Sequence, residues 1–232
     1  LVGGDGDNYL DGGMDIDTVD YRGISGGVSG TTGVVITANP DGTATATIEL
    51  ASGSLSTEIL KDIEIIQGSN NADNIAGTAG DNTLYGNNSN DTLAGGAGAD
   101  VLIGGTSTTD NAGGSDWASY AGSAAVTVNL TDAAADGLAD ATGVGGDAQG
   151  DSYHYINHLL GSANNDTLTG NANANSLTGG LGNDTLIGGV GADVLIGGAS
   201  TTDSAGGSDW ASYVGSAAVT VNLTDAAADG LA

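Results

Sequence analysis

The sequence predicts an all-β chain built from short turn-and-strand units, and three observations carry that prediction. An acid or amide recurs every nine residues, at Asp73, Asn82, Asp91 and Asp100, and again at Asp166, Asn175, Asp184 and Asp193. An aliphatic residue stands two positions after each, from Ile75, Leu84, Leu93 and Leu102 to Leu168, Leu177, Leu186 and Leu195. Glycine, 43 of 232 residues, gathers ahead of the acids, beside one proline and no phenylalanine or cysteine. A nine-residue unit is too short for a helical repeat; it fits a six-residue turn and a three-residue strand. With Trp117, Trp210 and seven tyrosines as the only aromatics, the core must be thin and aliphatic.

Residues 1–20 form a short repeat block, in which "GGDGDNYLD" and "GGMDIDTVD" set Asn8 and Asp17 nine apart with Leu10 and Val19 behind them. Residues 21–63 read as a connector with a hairpin over 34–50, turning at Asn39-Pro40-Asp41-Gly42. Residues 64–105 are a full repeat block, its register reaching back to Glu64 and Ile66. There Gly95, Gly96 and Gly98 provide tight bends, because glycine reaches positive φ without a Cβ clash. Residues 106–156 read as a connector. It holds a loop over 106–114, "SDWASY" (115–120) as a Trp/Tyr cap on the block, and an alternating strand over 124–130. Tyr153 and Tyr155 read as exposed, and His154 and His158 as solvated or edge residues. Residues 157–198 are the second full block, reaching back to Asn157 and Leu159 and bending at Gly188, Gly189 and Gly191. Residues 199–232 repeat the connector, with a second strand over 217–223.

A longer period of 93 residues relates Asp100 to Asp193 and Trp117 to Trp210. Segments 95–139 and 188–232 differ only at 97/190, 106/199, 111/204 and 121/214. Such near-identity points to tandem duplication, and the chain reads as a piece of a longer repetitive array.

The formal charge is −27, and Arg22 and Lys61 are the only basic residues. That balance excludes nucleic acid and anionic membrane surfaces as partners and makes cations the natural counter-charge. No apolar run reaches the ~18 residues of a membrane span. An EF-hand needs a Glu at loop position 12, and no Glu follows Glu64. "GISGG" (23–27) lacks the strand–turn–helix setting and histidine partner of a hydrolase nucleophile, and "GGVGAD" lacks the βαβ setting of a dinucleotide site. No catalytic residue is assigned.

The pattern G-G-x-G-x-D-x-U-x, with U a large aliphatic, runs over 3–20, 68–105 and 161–198. It resembles the RTX, or haemolysin-type calcium-binding, repeat family. The resemblance implies right-handed parallel β-roll (β-helix) solenoid blocks joined by β-strand connecting segments. Two nonapeptides make one coil, and alternate turns stack with Ca²⁺ between them, bound by backbone carbonyls and the turn carboxylates. The implied pairs are Asp73 with Asp91, Asn82 with Asp100, Asp166 with Asp184, and Asn175 with Asp193. The asparagines bring no charge and imply weaker sites; "GSNNAD" and "GNNSND" also depart from the pattern. Asn8 and Asp17 belong to sites that need upstream coils, and Asp116 and Asp209 are further ligand candidates. The family further implies several calcium ions per chain, type I secretion and folding outside the cell. Two wider roles follow: a structural extender of a large surface protein (adhesin, filament or surface layer) that self-associates or runs in tandem, or the non-catalytic tail of a secreted enzyme or toxin. A ligand-binding adhesive module rests only on Tyr153 and Tyr155.

Overall fold

The computed structural model describes residues 1–3, 6–24, 32–49, 53–105, 114–130, 143–198 and 208–213. The second strand read over 217–223, and nearly all of the loop read over 106–114, lie outside the described residues. The first strands are β1 (Asn8–Asp11), β2 (Thr18–Asp20), β3 (Thr32–Ala38), β4 (Ala44–Glu49), β5 (Leu55–Lys61) and β6 (Ile65–Gln67). Next come β7 (Ala72–Ala76), β8 (Thr83–Tyr85), β9 (Thr92–Ala94), β10 (Val101–Ile103), β11 (Trp117–Ser119) and β12 (Thr127–Asn129). The second half holds β13 (Ser152–His154), β14 (His158–Leu160), β15 (Thr167–Thr169), β16 (Ser176–Gly180), β17 (Thr185–Ile187), β18 (Val194–Gly198) and β19 (Trp210–Ser212). One 3₁₀ turn, Gly146–Ala148, is the only helical element among the described residues.

The strands lie in three sheets, ordered β1-β5-β4-β3-β7-β9-β11-β14-β16-β18, β13-β10-β8-β6-β2 and β12-β15-β17-β19. Every pairing between repeat units is parallel, as a coiled stack requires. Among the described strands the exception is the hairpin, where β4 runs antiparallel to β3 and to β5; Thr127 and Val144 add an isolated antiparallel bridge. Its turn closes through Asn39 N–H to Thr43 O at 2.8 Å, and β5 then pairs in parallel with β1. The connector over 21–63 thus extends the long sheet.

Parallel register stacks like on like. Ile36, Ile75, Leu93, Ala118, Leu159, Leu177 and Leu195 form one column; Val19, Ile66, Leu84, Leu102 and Tyr153 a second; Val128, Leu168, Leu186 and Ala211 a third. Leu84, Leu93, Leu102, Leu159, Leu168 and Leu177 are wholly buried in one continuous core. Each such burial contributes roughly 1.5–3 kcal/mol. A slim core built one aliphatic per unit stands only because every unit repeats it.

Several expectations are corrected. "SDWASY" does not cap the first block. β11 lies between β9 and β14, with Ala118 opposite Leu93 and Leu159. Asp116-Trp117-Ala118-Ser119 is itself an Asp-x-U-x unit whose U is alanine; the indole lies outside the core, tilted against the His158 ring at 4.9 Å. Tyr153 is not exposed: it fills a core position on β13, 4% exposed, its hydroxyl 2.6 Å from that of Tyr120. His158 is half-buried within the long sheet, and its Nδ1 accepts the Ser176 N–H at 2.9 Å. The N-terminal block finds its stacking partners downstream, on β5 and β6.

Candidate metal centre

The sixth residue of each turn faces the stack. Its backbone N–H donates to the carboxylate of the rung beyond: Asp73 to Asp91 (2.8 Å), Asn82 to Asp100 (2.8 Å), Asp166 to Asp184 (2.8 Å) and Asn175 to Asp193 (3.0 Å). The ladder continues from Asp91 to Asp116 (2.9 Å), Asp100 to Asp151 (2.9 Å), Asp184 to Asp209 (3.0 Å) and Asp116 to Asn157 (3.0 Å). Apart from Asp116, whose acceptor is the Asn157 amide oxygen, each amide spends its one proton on one carboxylate oxygen and leaves the other oxygen to find its own partner.

For three of these acids no partner is found: Oδ2 of Asp91, Asp100 and Asp184 is buried without a hydrogen bond. Burial pushes the Asp91 carboxyl up to about 9, with the charges of Asp73 and Asp116 adding to it. Desolvation likewise lifts Asp100 and Asp116 to about 7 and Asp73 to about 6, and raises Asp151 and Asp184. A column of stacked carboxylates in a dry interior is unfavourable as anions unless a cation neutralises it.

The first glycine of each turn marks where the free oxygens converge. A Cβ on Gly86 would meet the Asp91 carboxylate and come 2.6 Å from the Gly104 carbonyl oxygen. On Gly179 it would meet the Asp184 carboxylate and lie 2.7 Å from the Gly197 carbonyl oxygen. Gly95 and Gly188 face the carboxylates of Asp100 and Asp193 in the same way. A Cβ on Gly96 (φ 92°) or Gly98 (φ 150°) would lie 2.6 or 2.7 Å from the Thr78 or Gly80 carbonyl oxygen of the turn beneath. Gly189 (φ 92°) and Gly191 (φ 145°) repeat that approach over Asn171 and Asn173. Carboxylate and carbonyl oxygens thus crowd each turn-to-turn interface.

This donor set fits a hard divalent cation. Calcium takes about 6–8 oxygens and accepts carbonyls beside carboxylates. Among the described residues no three His, Cys, Asp or Glu side chains converge, so a nitrogen- or sulfur-loving transition metal has no cage. The two cationic side chains sit elsewhere, Arg22 against Asp20 at 2.7 Å and Lys61 against Asp11 and Asp62 at 2.9 and 2.8 Å. Bound calcium would supply positive charge to the acids and a common centre for the carbonyls. The residues that would hold it are Asp91, Asp100 and Asp184, with carbonyls of Gly104 and Gly197 beside the first and last of them.

The family model for the RTX calcium-binding nonapeptide repeat matches four segments, residues 1–19, 67–105, 155–186 and 169–201. The chain carries RTX repeats. No curated protein sequence matches it. The RTX repeat is a calcium-binding structural repeat, and its parallel β-roll is the architecture seen here. Among the described residues no helix is long and apolar enough to cross a membrane.

The RTX stack brings together all four sequence-predicted pairs. It also stacks Asp116 on Asp91 and Asp209 on Asp184. Asn8 and Asp17 have different company. Asn8 Nδ2 donates to Gly6 O (2.8 Å) and Glu58 Oε1 (3.3 Å), and the Asp17 N–H donates to Glu64 Oε2 (2.9 Å). Glu58 also accepts the Tyr21 hydroxyl at 2.7 Å, so that buried glutamate is satisfied by the chain itself. Sequence reasoning missed Asp151. It receives the Asp100 N–H and the Tyr120 hydroxyl (2.8 Å). Its signal was present as Asp151-Ser152-Tyr153-His154, an Asp-x-U-x unit with an aromatic U, but it lies 51 residues from Asp100 and off the nine-residue count.

Proposed function

We propose that this chain is a calcium-dependent structural extender, a module of a large secreted repeat protein of adhesin, filament or surface-layer type. The observation that carries the calcium reading is the set of buried, unpartnered carboxylate oxygens at Asp91, Asp100 and Asp184. Asp73, Asn82, Asp166, Asn175, Asp193, Asp116 and Asp209 complete the acidic columns, with Gly95, Gly96, Gly98, Gly188, Gly189 and Gly191 shaping the turns. Metal binding and folding are then one equilibrium: without cation the acidic columns repel and the slim core does not offset chain entropy.

The extender role is favoured over an enzyme tail by the 93-residue duplication and by how its copies stack. β11 lies in the long sheet, while its counterpart β19, 93 residues on, lies in the four-stranded sheet. β14 and β16 meanwhile continue the long sheet into the second copy. Each copy therefore opens a new sheet before the previous one ends, which suits a continuous rod. Blocks over 1–20, 64–105 and 157–198 are its calcium-loaded parts in this reading. Far-ultraviolet circular dichroism during calcium titration tests it. Strand signal should be absent from metal-stripped chain at neutral pH and appear cooperatively with calcium; full strand signal in excess chelator would overturn it.

A further inference from the structure

The six-residue turns are of two kinds, and the division does not follow the acids. In four turns the second residue is Ser69, Thr78, Ser162 or Asn171, none with positive φ. Its backbone N–H points inward and donates to the turn's own sixth side chain: Ser69 to Asp73 (2.6 Å), Thr78 to Asn82 (2.7 Å), Ser162 to Asp166 (2.6 Å) and Asn171 to Asn175 (2.8 Å). The Ser69 and Ser162 hydroxyls add bonds to the same carboxylates at 2.8 and 3.1 Å. In five further turns the second residue is left-handed: Gly13 (φ 89°), Asn87 (φ 79°), Gly96 (φ 92°), Gly180 (φ 113°) and Gly189 (φ 92°). Three of these are the turns of Asp91, Asp100 and Asp184, whose Oδ2 atoms have no hydrogen-bond partner and which are at most 1% exposed; Asp17 and Asp193, in the other two, are only half-buried. Rotating the second peptide removes the internal donor and leaves a buried carboxyl oxygen without a partner.

We propose that the second residue of each turn is the switch that decides whether its rung takes a divalent cation. A Ser, Thr or Asn without positive φ seals the sixth side chain with the turn's own amide. A left-handed Gly or Asn opens it. Sealed coils at 68–82 and 161–175 each carry an open coil above them, at 86–100 and 179–193, so each block alternates an amide-closed layer with a cation-closed one. The inference rests on the calcium reading above and changes its site list. Asp73 and Asp166 become hydrogen-bonded rungs. The "GNNSND" turn, which lacks the second and fourth consensus glycines, becomes a binding turn, because Asn87 and Ser89 (φ 76°) adopt the left-handed places themselves.

The test is bound calcium per full-length chain, measured by equilibrium dialysis with radioactive calcium at saturation, with circular dichroism alongside. Asp91→Asn and Asp184→Asn should each lower the bound calcium, while Asp73→Asn and Asp166→Asn should leave it at the wild-type count. Ser162→Gly, which frees the second peptide to rotate, should raise the count, and this variant reads the switch even where an open-turn substitution unfolds. Equal losses for Asp73→Asn and Asp91→Asn, or an unchanged count for Ser162→Gly, overturn the switch while leaving the calcium reading in place. A wild-type chain that binds no calcium overturns the calcium reading itself.

Discussion

Asp91 is where the energetics of a single residue are sharpest. Its ordinary carboxyl value is 3.8, and burial in the stack moves it to about 9. The folded metal-free chain therefore holds a proton there that the unfolded chain gives up above pH 4. For a group raised on folding, the stabilisation from protonation is fully present below the unfolded value and is lost as pH rises through the folded one. Asp73 at about 6 and Asp100 and Asp116 at about 7 act in the same direction. Acid thus substitutes for calcium: metal-stripped chain should gain strand signal on going from pH 8 to pH 5. Circular dichroism in calcium-free buffer checks this, and a signal that is flat or weaker at pH 5 would contradict it. Calcium binding to any folded metal-free chain at pH 7 should release protons, Asp91 being the largest source.

At the scale of the element, one rung is three residues of strand with one side chain in the core. Leu93 on β9 stands between Ile75 and Ala118 and is wholly buried. Leu93→Ala would leave two adjacent small residues in that column, at a cost of roughly 2–5 kcal/mol. Because folding and calcium binding are coupled, the loss should appear as a higher calcium midpoint, read by the same titration; an unchanged midpoint would mean the column does not hold the coil. The rungs read most easily from sequence are those whose chemistry keeps the count of nine, such as Asp73 to Asp100 with Ile75 to Leu102. There turn and strand lengths are fixed together, so register follows from spacing alone. β11 and β13 were illegible for a physical reason. Parallel stacking constrains only where a rung lands, not the length of chain that loops out before it. Asp116 reaches Asp91 across 25 residues and Asp151 reaches Asp100 across 51, with no strain on either pairing. Alanine and tyrosine at the U position hid those rungs further. The two turn conformations were equally hidden, since Asn occurs as the second residue in both kinds, at Asn87 and at Asn171.

Across the whole molecule, the 93-residue duplication supplies its own control for what covers a rung. In the first copy β10 is covered by β13 and β11 by β14. Among the described residues their counterparts β18 and β19 end their sheets, and the same residue types lie open: Val194 is 54% exposed, Ile196 44% and Trp210 70%. Tyr213 is 38% exposed where Tyr120, its counterpart, is 3%. Among the described residues neither edge carries a further strand, and parallel edges with apolar side chains are a template for strand addition. The strands that fit are those that cover the identical residues in the first copy, residues 143–160. That segment brings Asp151 for the Asp193 N–H and Asn157 for the Asp209 N–H, as it does for Asp100 and Asp116. A synthetic peptide of residues 143–160, which contains no tryptophan, should therefore dock on the calcium-loaded chain. In a Trp117→Phe background Trp210 is the sole indole, and its emission should shift to the blue as the peptide covers β19. A scrambled peptide should leave it unchanged. If the native peptide at millimolar concentration also leaves Trp210 emission at its exposed wavelength, the edge is no acceptor for a further copy, and the continuous rod loses its structural basis.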